Sequence, residues 1–131
     1  AENVKKSLTK TRLSKKSLRN KADELCRKIV QKYGKCERCG FEFEGRGLHW
    51  AHFISRGVQK LRWNPKNWAA LCAGCHKYLD LRPSLKTRWW QEKRGAKTVE
   101  WLERESYKLK PLAPEWYQNI VGDLEKVLEQ L

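Results

Sequence analysis

Apolar residues recur at intervals of three and four between Ser17 and Tyr33, which predicts an amphipathic helix that Gly34 ends. Cys26 falls on the apolar face of this helix, where we expect a buried free thiol rather than a metal ligand or a nucleophile. The other residues of that face are Leu18, Ala22, Leu25, Ile29, Val30 and Tyr33.

After residue 40 the apolar pattern changes to the period of a strand. Phe41–Glu44 alternates between apolar and polar residues, Gly45–Gly47 predicts a turn, and Leu48–Ile54 predicts a second strand. Together these segments predict a β-hairpin. A loop from Ser55 to Lys66 follows, and a short helix is expected from about Ala73 to Leu79.

Three helices are predicted after residue 82. Pro83 and Gly95 bracket the first, in the order that proline and glycine usually take around a helix. Thr98 is expected to cap the second helix, which runs to about Lys108, and Pro114 opens the third. An apolar stripe on the third helix is expected to pack in the core, with a homodimer seam as the alternative. The stripe contains Tyr117, Ile120, Val121, Leu124, Val127, Leu128 and Leu131.

Charge indicates the kind of partner. The chain of 131 residues has 29 Lys and Arg against 15 Asp and Glu, a net charge of +14. Such an excess in one small domain favours a polyanion, most simply nucleic acid, over a merely soluble basic surface. The basic segments lack the wide apolar face of a membrane-binding helix, and no apolar run reaches the length of a membrane span. We therefore expect a soluble, intracellular protein with no membrane partner.

The same features divide the chain into four segments. Residues 1–16 carry six cations against Glu2 and few apolar groups, which predicts a basic flexible arm. Residues 17–34 are the N-terminal helix, 35–82 contain the cysteine and histidine motifs, and 83–131 form a helical extension.

Four of the five cysteines form two Cys-x-x-Cys pairs, Cys36 with Cys39 and Cys72 with Cys75. In a chain that is not secreted, this spacing favours a structural zinc site over disulfides. Thiolates bind zinc tetrahedrally, so two such turns complete a closed site. The pairs are farther apart than in a simple zinc ribbon, which leaves room for a hairpin and a loop between them. Two unrelated buried thiol pairs are the alternative.

The three histidines of the chain are concentrated near these cysteines. His49 and His52 lie between the pairs, and His76 directly follows Cys75. Phosphodiester hydrolysis requires a base to deprotonate water and a cation to offset the developing charge. A neutral imidazole can serve as that base near physiological pH. Taken singly, His52 is equally well a buried hydrogen-bonded side chain, and His76 is equally well a zinc ligand in place of one cysteine.

Three stretches carry a resemblance to a known family: LHWAHFISRG at 48–57, LRWNPKNW at 61–68 and LCAGCH at 71–76. They resemble HNH endonucleases of the ββα-metal fold, and more narrowly the NinG/Rap group of phage recombination endonucleases. The resemblance covers roughly residues 35–79 and hardly touches the basic arm. It implies an α+β fold, with a zinc-stabilised, treble-clef-like ββα-metal core at 35–82 and helices on both sides.

The resemblance also implies roles for particular residues. His52 would be the general base, Asn67 would orient that base and tie the loop together, and His76 would bind a catalytic Mg²⁺ or Mn²⁺. Many HNH enzymes carry a metal ligand immediately before the base, but here that residue is Ala51, which cannot ligate. His49 is a candidate replacement because alternate residues of a strand share a face. Contact with DNA, or a cap on the strand, is the alternative for His49.

Arg56, Lys60 and Arg62 follow the expected base in one loop. We expect them to contact DNA phosphates, which adds affinity and salt sensitivity rather than base readout. A solvated loop is the alternative, and Trp63 beside them is expected in the core rather than stacked on a base.

The expected function is metal-dependent cleavage of branched or recombination DNA with little sequence specificity. A phage or prophage protein acting in the cytoplasm of the bacterial host would fit this function. Ala51 favours an alternative, a non-catalytic zinc-containing nucleic-acid-binding module. A scaffold protein that recruits partners through the C-terminal apolar stripe is a further alternative.

Overall fold

The computed structural model describes residues 13–131, which form one continuous hydrophobic core. Six α-helices and two strands are described, together with a short 3-10 turn at Pro65–Asn67. In chain order they are α1 (Lys15–Tyr33), β1 (Leu48–His52), α2 (Gln59–Arg62), β2 (Trp68–Cys72), α3 (Ala73–Asp80), α4 (Pro83–Arg94), α5 (Ala96–Ser106) and α6 (Pro114–Glu129).

Helix α1 begins at Lys15, two residues before the predicted start. The Ser14 hydroxyl accepts a hydrogen bond from the Ser17 backbone N–H at 3.1 Å, which is the usual N-cap contact. Gly34 ends the helix with a φ of +68°, a backbone conformation that glycine adopts without strain. Residues 1–12 of the predicted basic arm lie outside the described residues, and its Lys15 and Lys16 belong to α1. Cys26 is completely buried as predicted, and burial raises the pKa of its thiol.

The sheet differs from the predicted hairpin. Strand β1 pairs antiparallel with β2, from Leu48 opposite Cys72 to His52 opposite Trp68. The predicted pairing of residues 41–44 with β1 was wrong. Trp68–Cys72 is an unbroken apolar run in the core, and a strand in the interior must have its backbone hydrogen bonds satisfied there. Phe41, by contrast, is 63% exposed, and its segment makes only one isolated bridge, from Glu42 to Lys35.

Helix α3 starts immediately after β2 and confirms the predicted short helix. Cys72 is the N-cap of α3, so the second cysteine pair spans the junction between strand and helix. The order of two strands and a helix, with the cysteines at its corners, confirms the expected α+β core. This order places the end of β2 and the first turn of α3 beside the start of β1.

The C-terminal helices complete the core. Gly95 separates α4 from α5 with a φ of +96° and is the N-cap of α5, so the prediction that Thr98 caps this helix was wrong. Helix α6 packs along α1 in the most extensive contact between any two described helices or strands. Its Tyr117, Val121 and Leu124 are buried, which confirms the core interpretation for that part of the stripe, whereas Val127 and Leu131 are exposed. A homodimer through α6 stays a prediction. Over residues 13–131, no helix has the length and hydropathy that a membrane span requires.

Candidate metal centres and catalytic site

The four paired cysteines converge on one point. The Sγ atoms of Cys36, Cys39, Cys72 and Cys75 all lie within 4.8 Å of one another, and those of Cys39 and Cys72 are 3.8 Å apart. Four sulfurs bound tetrahedrally at about 2.3 Å from zinc are also separated by about 3.8 Å. The cluster therefore fits a structural zinc ion, and the alternative of two unrelated thiol pairs was wrong.

Local backbone geometry shapes each half of this cluster. The Gly40 N–H donates to the Cys36 carbonyl at 3.0 Å, and Gly40 has a φ of +78°, which closes the first turn. In the second turn the Cys75 N–H donates to Cys72 Sγ at 3.4 Å. Burial raises the pKa of the Cys36 thiol, but hydrogen bonds, led by that from the Cys39 backbone, outweigh it and lower the pKa to about 7. The thiolate of Cys36, the form that binds metal, is thereby stabilised, whereas burial raises the pKa of the Cys75 thiol to about 12.

The first cysteine turn is also attached to the sheet. Glu37 donates its N–H to the Ala70 carbonyl at 2.9 Å, and its carboxylate accepts the Ala70 N–H at 2.7 Å. Arg94 of α4 then pairs with Glu37 at 3.0 Å and donates to the Trp68 carbonyl at 2.8 Å. These contacts join the turn, β2 and α4. Sequence reasoning missed Glu37 and Arg94, since no pattern links residues so far apart.

His49 and His76 form a second convergent pair. Their Nδ1 atoms lie 3.0 Å apart, and the rings meet edge to face. The strand register explains the contact: His49 lies opposite Leu71 in β2, and His76 lies in the first turn of the helix that follows. The other nitrogen of His76, Nε2, is 3.2 Å from Asp80 Oδ2, and Lys86 contacts the second oxygen of Asp80 at 2.7 Å. The spacing of four between His76 and Asp80 was visible in the sequence, but Asp80 was missed.

The histidine pair fits two ligands of one dication. Two donor atoms about 2.1 Å from an octahedral ion and at right angles to each other are about 3 Å apart. A carboxylate that holds the Nε2–H of His76 leaves Nδ1 with the lone pair that a metal requires. Within residues 13–131 the cysteines are the only group of three or more converging metal-ligand side chains. This second centre therefore offers two protein ligands, and imidazole suits transition-metal ions better than Mg²⁺.

His52 lies on the opposite face of β1 from His49, since side chains alternate along a strand. The side chain is 7% exposed and packs edge to face on Trp50, with 4.3 Å between the ring centroids. Its Nε2 lies 2.9 Å from the Arg62 carbonyl oxygen. A carbonyl can only accept, so Nε2 carries the proton and Nδ1 is free to take one. Burial, aided by the nearby guanidinium groups, lowers the pKa of His52 to about 4, so the ring is neutral at physiological pH.

Asn67 forms hydrogen bonds with the loop whose Arg62 carbonyl contacts His52. Its fully buried side chain accepts a hydrogen bond from the Ile54 N–H at 2.7 Å. It donates to the carbonyls of Ile54 at 3.1 Å and Leu61 at 3.2 Å. These contacts fix the segment that ends at Arg62, whose carbonyl holds His52. Asn67 thus reaches the imidazole only through the loop backbone.

The loop cations differ in what they contact. Arg62 forms two hydrogen bonds with Asp23, and Lys60 pairs with Glu105 at 2.9 Å. Arg56 instead places its guanidinium 5.3 Å from the Trp50 ring. Trp63 is buried and donates to Asp23 at 2.7 Å, so its placement in the core is confirmed. Phosphate contact by Arg56, Lys60 and Arg62 stays a prediction, and two of the three already have carboxylate partners.

Comparison with known proteins gives one match. Residues 36–79 match the family model described as HNH endonuclease. The matched segment runs from the first cysteine of the four-cysteine cluster to the last turn of α3, and it includes His49, His52 and His76. No curated protein and no solved structure gives a significant match. The match supports the HNH family for this segment, while α1 and the helices after α3 lie outside it.

Proposed function

We propose that this chain, which carries an HNH endonuclease segment at residues 36–79, is a metal-dependent nuclease that hydrolyses DNA phosphodiester bonds. The observation that carries the proposal is the 3.0 Å contact between the Nδ1 atoms of His49 and His76. This contact would provide two ligands for a metal ion on one face of β1, with the neutral imidazole of His52 three residues away on the other face.

His49 and His76 would hold the catalytic dication, Mn²⁺ or Mg²⁺. A bound dication offsets negative charge on the phosphate and on the leaving oxygen. His49 would thus replace the ligand that Ala51 cannot provide. Asp80 is a positioning residue, because it contacts His76 only at the nitrogen that faces away from His49.

His52 would accept a proton from the attacking water at Nδ1. The Arg62 carbonyl holds Nε2–H and stabilises the imidazolium that forms. A pKa of about 4 makes His52 a weak base in the DNA-free protein. An anionic phosphodiester bound nearby raises the pKa of an imidazole towards its working range. Asn67 supports this arrangement by holding the loop that presents the carbonyl.

The resemblance to phage recombination endonucleases supports branched or recombination DNA as the substrate, cut with little sequence specificity. A phage or prophage setting, with action in the cytoplasm of the bacterial host, belongs to the same proposal.

A non-catalytic zinc-containing module that binds nucleic acid is the second candidate function. Two observations favour it: Ala51 occupies the position of the usual ligand, and within residues 13–131 no third ligand side chain converges with His49 and His76. Such a module would keep the zinc cluster and the basic surface but would leave DNA intact.

Cleavage of supercoiled plasmid with Mn²⁺ or Mg²⁺ separates the two functions. A nuclease nicks the plasmid, and His52→Ala and His76→Ala lose the nicking while they still bind DNA. Tyr107→Ala, a change at a residue that is 86% exposed, is the control that should cleave normally. Intact plasmid with every divalent ion tried would favour the binding module. Linear, nicked, single-stranded and four-way-junction DNA in the same assay would then define the substrate.

A further inference from the structure

A cleft of about 890 Å³ opens beside the histidine pair. Helix α1 forms one wall, the end of α6 forms another, and Leu48 and Trp50 of β1 lie between them. Both His49 and His76 line this cleft. Any strand lying in it would therefore lead to the proposed metal centre.

The rim of the cleft is cationic, and most of its cations have no carboxylate partner among the described residues. Glu24 and Glu129 also line the cleft, but in this part of the chain only Glu24 forms an ion pair there, with Lys28 at 3.1 Å. The five cations are exposed: Arg27, Lys28, Lys32, Arg46 and Arg56.

Most of these cleft cations differ from Lys60 and Arg62 of the loop in forming no salt bridge with any described residue. Between residues 13 and 131, no salt bridge involves Arg27, Lys32 or Arg46. Lys60 and Arg62 are held by Glu105 and Asp23. A phosphate must displace a carboxylate to reach a paired cation, but it meets an unpaired exposed cation without that cost.

We infer that this cleft is the DNA-binding surface of the protein, with Arg27, Lys32 and Arg46 contacting phosphates of the strand that enters the metal centre. The inference rests on the proposed nuclease function and deepens it. It places phosphate binding on α1, outside the family-matched segment, rather than on Lys60 and Arg62. Cations at this position add affinity for any DNA sequence, because phosphates carry no base identity.

The test is DNA binding by the triple variant Arg27→Gln, Lys32→Gln, Arg46→Gln. Fluorescence anisotropy with a labelled DNA junction, on zinc-loaded protein without added Mn²⁺ or Mg²⁺, gives the Kd at several salt concentrations. Each lost phosphate contact lowers the slope of log Kd against log salt by about 1, so we expect a loss of about 3. The Kd at low salt should rise about tenfold or more. Circular dichroism should be unchanged, since all three side chains are exposed.

The matched control is Arg88→Gln, Lys93→Gln, Lys97→Gln, which removes the same charge from exposed positions of α4 and α5 away from the cleft. This control variant should keep most of the wild-type slope of log Kd against log salt. Equal weakening by both triples would mean that net charge alone drives binding and would overturn the inference. Wild-type binding by the cleft triple would overturn it as well, and Arg46→Gln alone provides a second, milder variant.

Cleavage by the wild-type protein separates this inference from the proposed function. If the wild type cuts DNA and the cleft triple variant binds and cuts DNA equally well, the nuclease function is supported and the cleft is not the DNA-binding surface. If the wild type cuts no DNA but the cleft triple variant alone loses DNA binding, the cleft is the DNA-binding surface and the nuclease function is rejected.

Discussion

Arg62 donates from Nε and Nη2 to the two carboxylate oxygens of Asp23, at 2.9 and 2.5 Å, although 39 residues separate them. The Trp63 indole donates to the same carboxylate. The backbone carbonyl of Arg62 in turn contacts His52 Nε2. Helix α1 is therefore connected through one guanidinium to the group that orients the proposed base. A cation that the sequence assigned to DNA is part of the support of the site.

We expect Asp23→Ala to lower the free energy of unfolding by about 3 kcal/mol or more. The change leaves a mostly buried guanidinium and a buried indole N–H without their acceptor. Urea unfolding measures the effect. Glu24→Ala, one residue along, removes only the exposed pair with Lys28 and should cost about 0.5 kcal/mol or less. Equal stability of the two variants would contradict a supporting role for Asp23.

His52 should make stability depend on pH. The pKa of folded His52, about 4, lies below its ordinary 6.5, so the unfolded chain binds more protons between these values. This contribution to stability is fully present above pH 6.5 and is lost as the pH falls towards 4. Between about pH 7 and pH 5 the loss amounts to about 2 kcal/mol.

The His52→Gln variant isolates this contribution, because glutamine can still donate to the Arg62 carbonyl but does not titrate. Subtraction of its unfolding free energy from that of the wild type removes the other acid-sensitive groups, including the zinc cluster. If the difference in unfolding free energy between wild type and His52→Gln stays constant from about pH 7 to about pH 5, His52 is not held neutral by the fold.

Zinc removal should unfold the domain. The four thiolates connect the turn after α1 to the junction of β2 and α3, and metal binding at such a site is coupled to folding. We expect one zinc per chain in a colorimetric release assay, and loss of the helical circular dichroism signal after chelation. Cys39→Ser should lose the zinc, whereas Cys26→Ala, at the buried cysteine outside the cluster, should retain it. Full helicity after demonstrated zinc loss would refute the coupling.

Asp80→Asn should weaken Mn²⁺ binding at the histidine pair by about 10- to 100-fold, the usual cost of losing a carboxylate that orients a metal-binding imidazole. Titration calorimetry of the zinc-loaded protein with Mn²⁺ gives this readout without any cleavage. Lys86→Gln keeps the carboxylate and should bind Mn²⁺ nearly as the wild type does. Unchanged affinity in Asp80→Asn, with zinc retained, would exclude Asp80 from the positioning role.

The sequence by itself determined the elements whose causes are local. Apolar spacing placed α1 and α6 within a few residues, because a helix is specified by neighbours three and four apart. Pro83 and Gly95 marked the ends of α4, and Gly34 marked the end of α1. The Cys-x-x-Cys spacings determined the zinc cluster, since each turn fixes two ligands by itself. The motif order named the histidines and Asn67 as candidate site residues, and their catalytic roles stay predictions.

Only the tertiary structure decided which distant groups meet. Strand β1 pairs with β2 rather than with residues 41–44, which are nearer in sequence. The reason is that β2 is a buried apolar run whose backbone groups need hydrogen-bond partners. That register places His49 in contact with His76, and the packing of α1 lets Asp23 form a salt bridge with Arg62. Contacts between residues so far apart in sequence depend on how the whole core closes. A linear pattern could therefore name the catalytic candidates, but it could not tell which of the described cations form salt bridges with carboxylates.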